Sequence, residues 1–258
     1  MSNFFRNFPL AEYKFGDEET TALFQNISAY ISVIDELKDD ISFYNLYHIG
    51  EGERPDVVSQ MLYNTPDYYW TFYYLNDHVR ESGWPLTVQE LYKKVQKDYP
   101  HRVVTTNSPM HDILLPGTPV AGTQTGTTGV VIKRNLDMGQ LIISSTDNFA
   151  DATSDFGLNF EEIKDNSDGA EATSKVTSVT EVAQYNAIHH YEDSTGEYQF
   201  FTPNANGGVN LTTGAGWLPV TYWNRYEAKN NALRDIKVLT PEVAAQVQSE
   251  FNKLLRQG

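Results

Sequence analysis

The stretch from Ile41 to Gly83 reads ISFYNLYHIGEGERPDVVSQMLYNTPDYYWTFYYLNDHVRESG and decides the fold expected for this chain. Its first part, Ser42 to Ile49, is rich in aromatic and branched residues, which favour a half-buried strand. Gly50 and Gly52 end that strand. Pro55 then suits the first position of a helix, because the N–H that proline lacks would have no partner there.

Two helices are predicted after this strand. The apolar residues of the first recur at helical spacing and indicate one buried face: Val57, Val58, Met61 and Leu62. Asn64 closes that helix. The second begins with Thr65 as its side-chain cap and Pro66 at its first position. Its core face is mostly aromatic and consists of Tyr69, Trp70, Phe72, Tyr73 and Leu75. Asn76 is a suitable residue for the end of this helix.

This order of strand, helix and helix resembles the LysM fold, a small βααβ module usually associated with glycan binding. Besides that order, the resemblance is carried by G-E-R-P, where LysM modules commonly have G-D-T, and by Asn76. The chain departs from LysM after Asn76, because Gly83-Trp84-Pro85 and a further helix starting at Thr87 come next. The segment Arg102–Thr106, RVVTT, is the predicted second strand, which should pair beside the first.

The whole chain is predicted to be an α+β protein in five parts. These are an extended N-terminal arm at 1–40, the LysM-like βααβ core at 41–106, a loop-rich linker at 107–126, a β-rich domain at 127–239 and a terminal helix at 240–258.

The β-rich part contains patterns typical of hairpins. Residues 129–134 and 140–144 predict two strands around a glycine-containing loop, and residues 176–201 predict two or three more. A further short strand is predicted at 220–223. In the terminal helix, Thr240 is the cap and Pro241 the first residue.

Composition narrows the classes of function. The 258 residues carry a net charge of −15 and contain no cysteine. Nucleic-acid binding needs basic surface, so neither DNA nor RNA is an expected partner, and disulfides are excluded. No secretion signal and no long apolar run is visible, so we expect a soluble protein with no membrane partner.

No motif predicts catalysis. The best candidate for a metal site is His189-His190-Tyr191-Glu192-Asp193, but neighbouring residues of a regular strand point to opposite faces. Asp165 to Gly169 lacks the alternating acids and the closing glutamate of a calcium loop. Nucleophile-elbow, phosphate-loop and dinucleotide-binding patterns are missing. We therefore expect no enzyme, no cofactor and no metal.

Three segments together resemble the baseplate wedge protein of gene fifty-three of contractile-tailed, T-even-like bacteriophages. They are FFRNFPLAEYKFGDE at 4–18, the long stretch 39–86 with E-G-E-R-P-D and Y-N-T-P-D-Y-Y-W-T-F, and NNALRDIKVLTPEVAAQVQSEFNKLL at 230–255. The resemblance implies a structural virion protein of the tail baseplate. Its LysM-like domain would bind protein rather than sugar and clamp adjacent wedges around the hub. The chain is longer than the compact core of that family, and residues 146–217 are interpreted as an added β-rich segment.

The resemblance also implies partners and a place of action. The partners are other wedge subunits and neighbouring wedges, in several copies within a six-fold baseplate that is assembled in the host cytoplasm. Residues expected at partner contacts are Phe4, Phe5, Phe8, Arg54, Pro55, Tyr69, Asn76, Trp84 and Phe251. The alternative from the residues alone is a peptidoglycan-binding LysM module or a cell-wall-associated protein.

Overall fold

The computed structural model describes most of the chain. The described residues are 10–14, 21–25, 44–110, 112–145, 147–149, 161–167, 169, 174–201 and 216–257. The predicted contact residues Phe4, Phe5 and Phe8 lie outside these ranges, as does most of the predicted arm.

The described part combines helices and strands, which confirms the α+β class. The strands are β1 Leu10–Lys14, β2 Thr21–Gln25, β3 Tyr44–His48, β4 Arg102–Thr106, β5 Pro119–Gly122, β6 Thr128–Asn135, β7 Gln140–Ser144, β8 Glu162–Asp165, β9 Lys175–Ala183, β10 Ile188–Glu192, β11 Tyr198–Gln199, β12 Leu218–Thr221 and β13 Asp235–Leu239. The helices are α1 Pro55–Tyr63, α2 Trp70–Leu75, α3 Asp77–Ser82, α4 Val88–Asp98, α5 Tyr222–Ala232 and α6 Pro241–Gln257, with 3₁₀ turns at Pro66–Tyr68 and Gln184–Asn186.

The chain divides into two compact units, and one of them is discontinuous. Residues 1–88 and 229–258 form what we call the split unit, and residues 89–228 form the inserted unit. This division differs from the five parts expected from the sequence, since the LysM-like core was placed at 41–106 and the terminal helix apart from it.

The split unit contains two two-stranded sheets: β1 pairs with β2, and a second sheet joins distant parts of the chain. Strand β3 pairs antiparallel with β13, so that Leu46 lies opposite Lys237. The expected pairing of β3 with Arg102–Thr106 is therefore wrong. That segment is a strand, but it pairs with β7 and β9 in the inserted unit. Strand propensity identified the segment correctly, whereas the partner depends on tertiary structure that a local pattern does not encode.

The helix boundaries of the split unit confirm the predicted start and end of α1 and correct the predicted start of the second helix. Arg54 has extended backbone angles before α1, and Pro55 is the first residue of that helix. Asn64 ends α1 in the left-handed conformation, with φ of 58°. The Thr65 hydroxyl accepts a hydrogen bond from the Asp67 N–H at 3.3 Å. This cap opens a 3₁₀ turn, and α2 begins four residues after Pro66, at Trp70.

Two hydrophobic clusters form the core of the split unit. One is built around Ile49, Val58, Phe72, Val79, Ile236 and Val238, and the other around Trp70, Leu75, Leu239, Ala244 and Val247. Both combine residues from the first and last parts of the chain. The terminal helix α6, predicted from Thr240 and Pro241, thus packs within the split unit through Ala244 and Val247.

A closed barrel dominates the inserted unit. Its six strands are antiparallel and follow the order β4-β7-β6-β5-β8-β9, with β9 pairing back to β4. The β6–β7 hairpin confirms the predicted pair of strands. Strands β8 and β9, which lie within 146–217, pair with β5 and β4, which precede that segment.

Strand β4 is buried on both faces. Val104 packs inside the barrel with Leu141 and Ile143, whereas Val103 packs outside it with Ile142 and Ala187. This explains why R-V-V-T-T lacks strict alternation, since a strand covered on both sides reads as a continuous apolar run.

Beside the barrel, β10 pairs with β11 and β12. The predicted strand at 220–223 extends only to Thr221, and α5 follows it, which the sequence reading missed. The Asn224 N–H donates to the Thr221 hydroxyl at 3.1 Å, and the Thr221 N–H donates to the Asn224 side chain at 3.2 Å. This reciprocal pair is a capping box with asparagine in place of glutamate.

Candidate protein-binding site

The loop between β3 and α1 is fixed by Glu53. The Tyr47 hydroxyl and the Gly50 N–H both donate to Glu53 Oε2, each at 2.8 Å. Burial, together with this carboxylate, raises the pKa of Tyr47 to about 12. The loop is thereby tied to the strand that precedes it.

Glu51 connects the same loop to two other segments of the split unit. Its Oε1 accepts the Val88 N–H at 2.7 Å, and its Oε2 pairs with the Arg234 guanidinium. Arg234 also donates to the Ile49 carbonyl at 3.2 Å. Glu51 and Glu53 of E-G-E-R-P-D thus both have partners within the split unit.

Asn76 joins α2 to β13. Its side-chain Nδ2 donates to the Phe72 and Lys237 carbonyls, both at 2.8 Å, and its Oδ1 accepts the Lys237 N–H at 2.7 Å. The residue is only 3% exposed. We expected Asn76 at a partner contact, but a side chain this deeply buried and internally bonded offers no surface, and its role is to close the unit.

Trp84 and Tyr69, also expected at partner contacts, are half-buried. The Trp84 indole N–H donates to the Glu53 carbonyl at 2.6 Å, and its ring lies 6.0 Å from that of Phe72 and 5.9 Å from that of Tyr73. Tyr69 packs against the Phe72 cluster. Both side chains therefore contribute to the packing of the split unit.

The aromatic face of α2 points inward. Trp70 is 3% exposed and meets the Tyr74 ring edge-on at 5.8 Å. A sugar-binding platform needs an accessible ring face, so Trp70 does not supply one. This agrees with the expectation that rings at helical spacing belong to the core.

Helix α1 exposes apolar side chains that the sequence reading had buried. Val58 is fully buried and Leu62 is partly buried, but Val57 and Met61 are 46% and 56% exposed. Both pairs have i, i+4 spacing, so the periodicity fits either face. Packing selects the face of Val58 and Leu62, which lie in the cluster built around Phe72 and Ile236. The prediction of a single four-residue buried face is wrong for Val57 and Met61.

These exposed residues form a short stripe with Arg54. Arg54 precedes Val57 by three residues, and its exposed guanidinium lies 3.1 Å from the Asp56 carboxylate. We call Arg54, Val57 and Met61 the α1 stripe. Methionine and arginine are enriched at protein interfaces, where apolar contacts are bordered by charge. Of the expected contact residues, Arg54 lies within this stripe and Pro55 is adjacent to it.

The outer face of the β3–β13 sheet is also open. Leu46 is 81% exposed. Around it, the Lys237 ammonium lies 4.5 Å from the centre of the Tyr44 ring, and His48 Nδ1 lies 2.7 Å from an Asp235 carboxylate oxygen. One cation–π contact and one histidine–carboxylate hydrogen bond thus border one apolar residue.

The neighbouring histidines of β10 do not point apart as a regular strand requires. A register shift between Ile188 and His190 brings their Nδ1 atoms within 2.9 Å. Arg225 Nη1, always a donor, lies 3.0 Å from His189 Nε2. That nitrogen must therefore accept, so neutral His189 carries its proton on Nδ1 and donates to His190. The expected divergence of the two rings is wrong, and the bulge is the reason.

The described residues hold no group of three or more histidine, aspartate or glutamate side chains that could bind a metal. In the former calcium-loop candidate, Asp165 accepts the Ser167 N–H at 2.8 Å in a local turn, and Asp168 lies outside the described residues. Phe251 lies within α6.

No family model matches the chain, and no curated protein matches it either. Among the described residues, none of the helices combines the length and apolar character needed to cross a bilayer.

Proposed function

We propose that this chain is a structural subunit of a phage tail baseplate that joins adjacent wedges by protein–protein contacts. The split unit would be its LysM-like domain, with β3, α1, α2 and β13 as the βααβ elements. On this proposal the closing strand comes from the far end of the chain.

One observation carries the proposal. The three segments that resemble the wedge protein, 4–18, 39–86 and 230–255, all fall within the split unit. They are far apart in sequence, yet β3 pairs with β13, and the Trp70 cluster contains residues of the second and third segments. The second and third segments resemble one family and share one core, which favours a common domain over chance similarities.

The surface of the split unit supports protein binding. The α1 stripe presents Val57 and Met61, whereas Trp70 is buried. An exposed apolar pair beside an arginine is suited to a protein partner. The acidic net charge of −15 disfavours competing nucleic acid in an infected cell.

The first test is the composition of the particle. Mass spectrometry and electron microscopy of purified tails should find the chain in the baseplate, in several copies around the six-fold axis. Its absence from purified tails would contradict the proposal.

The second test concerns the α1 stripe. Met61→Asp places a charge on the stripe and should reduce wedge joining about tenfold, the effect of losing about 1.4 kcal/mol at the contact. The yield of complete rings, measured by sedimentation, reports the change. Ile132→Asp is the matched control, since Ile132 is a similarly exposed apolar residue of the inserted unit. Equal ring yields for the two variants would exclude the stripe from the wedge contact.

The alternative, binding of peptidoglycan, has a direct test of its own. The full chain should not be retained on insoluble peptidoglycan, because Trp70 is turned into the core. Retention that soluble glycan fragments compete away would favour the alternative.

A further inference from the structure

The inserted unit begins and ends at neighbouring points of the split unit. Asn230 is 6% exposed and makes two hydrogen bonds with the backbone of Leu86. The Leu86 N–H donates to Asn230 Oδ1 at 2.8 Å, and Asn230 Nδ2 donates to the Leu86 carbonyl at 2.9 Å. Leu86 lies just before the insertion and Asn230 just after it, so one side chain joins the two ends.

A second connection strengthens this closure. Glu51 accepts the N–H of Val88, the last residue before the insertion, and pairs with Arg234, which follows the insertion. Both chain ends at the junction are thus attached to the same loop. We call Asn230, Leu86, Glu51 and Arg234 the junction clasp.

Each barrel strand of the inserted unit forms its backbone hydrogen bonds with other strands of the same unit. The barrel ladder runs through all six strands and returns from β9 to β4, so that no barrel strand has an open edge. Its interior contains an apolar cluster of its own, built around Val104, Leu141, Ile143 and Phe149. The split unit has two further clusters of its own.

From these observations we propose that residues 89–228 are an autonomous domain inserted into the split unit, and that the junction clasp closes the split unit across the insertion. The insertion then extends well beyond the 146–217 segment expected from the sequence. Since the two ends are held side by side, the split unit needs no residue of the insertion to complete its sheet. This inference does not depend on the proposed wedge function.

Calorimetry of the full chain tests autonomy. We expect two unfolding transitions, with hydrogen exchange assigning each to one unit. Val79→Ala, in the split-unit core, should lower one midpoint by about 5 °C, and Val104→Ala, in the barrel, should lower the other by a similar amount. A single transition that both variants shift equally would overturn the proposal.

A matched pair of asparagine variants tests the clasp. Asn230→Ala should lower the split-unit midpoint and leave the barrel midpoint unchanged, because it removes both bonds to Leu86. Asn231→Ala changes the adjacent, exposed residue of the same helix and should shift neither midpoint. Equal midpoints for the two variants would refute the clasp, and a lowered barrel midpoint in Asn230→Ala would refute autonomy.

Discussion

The split unit and the inserted unit close their sheets in different ways. The barrel of the inserted unit closes through continuous backbone ladders between strands within 102–183. The split unit has a two-stranded sheet whose strands, β3 and β13, lie at opposite ends of the chain. Side chains connect this sheet and the segments around it: Asn76 bonds to Lys237 of β13, Asn230 to the Leu86 backbone and Arg234 to the Ile49 carbonyl.

This difference predicts which substitutions should destabilise each unit. A two-stranded sheet is marginal by itself and depends on packing and on bonds that satisfy its exposed backbone groups. A closed barrel has backbone partners on both sides of every strand. The loss of a side-chain hydrogen bond to the backbone should therefore matter most in the split unit, whereas the loss of buried apolar volume should destabilise either unit.

The largest effect is expected from Trp70→Ala. The ring is buried in the split unit, so its removal should cost about 3–5 kcal/mol of unfolding free energy. Chemical denaturation would measure the loss. Tyr198→Ala, which changes an exposed ring of the inserted unit, should stay within about 0.5 kcal/mol. A near-neutral Trp70→Ala would show that the Trp70 cluster does not stabilise the split unit.

Asn76→Ala should follow, at about 3 kcal/mol, because it leaves buried backbone groups of Phe72 and Lys237 without their partner. Equilibrium denaturation checks this value. Asn45→Ala, at an exposed position of β3, is the control and should be close to neutral. Similar costs for the two variants would contradict the importance of side-chain closure.

Gly122→Ala tests how closely the barrel backbone packs against a buried side chain. A Cβ at Gly122 would lie 2.2 Å from Glu161 Oε1. That buried carboxylate accepts the Thr125 N–H at 2.8 Å and the Thr125 hydroxyl at 2.7 Å, so it cannot move without losing these bonds. We expect a loss of about 1–3 kcal/mol, confined to the barrel transition. An unchanged barrel midpoint would show that Glu161 can be displaced without cost.

The smallest effect is expected from Tyr63→Phe, which removes a hydroxyl that donates to the Leu239 carbonyl at 3.1 Å. Burial raises the pKa of Tyr63 to about 12 from its ordinary 10.0. The folded state therefore retains this proton where the unfolded state has lost it. The associated stability is complete below about pH 10 and is lost as the pH rises towards 12.

At neutral pH the Tyr63→Phe variant should lose about 1 kcal/mol, and between pH 10 and 12 its split-unit midpoint should fall less steeply than that of the original chain. Thermal midpoints measured across this range would show the difference. Tyr99→Phe is the counterpart in the inserted unit, where burial likewise raises the pKa of Tyr99 to about 12. A steeper fall of the midpoint in the Tyr63→Phe variant would contradict a raised pKa of Tyr63 in the folded state.

Local sequence determined the elements. Pro55, Asn64, Thr65 and Pro241 fix where helices begin or end because each acts on the backbone within a few residues. The β6–β7 hairpin followed from two apolar runs around a short loop. The α+β class followed from the same local signals.

Only tertiary structure decided which elements meet. Arg102–Thr106 is a strand by propensity, but its partners and those of β3 depend on contacts between distant segments. The same holds for the candidate site: Val57 and Met61 share their spacing with Val58 and Leu62, and only the packing of the split-unit core shows that the first pair is exposed. Propensity and capping act over a few residues, whereas strand pairing and burial depend on the whole chain. The sequence by itself therefore determined where helices and strands form, and the tertiary structure decided which strands pair and which side chains are exposed.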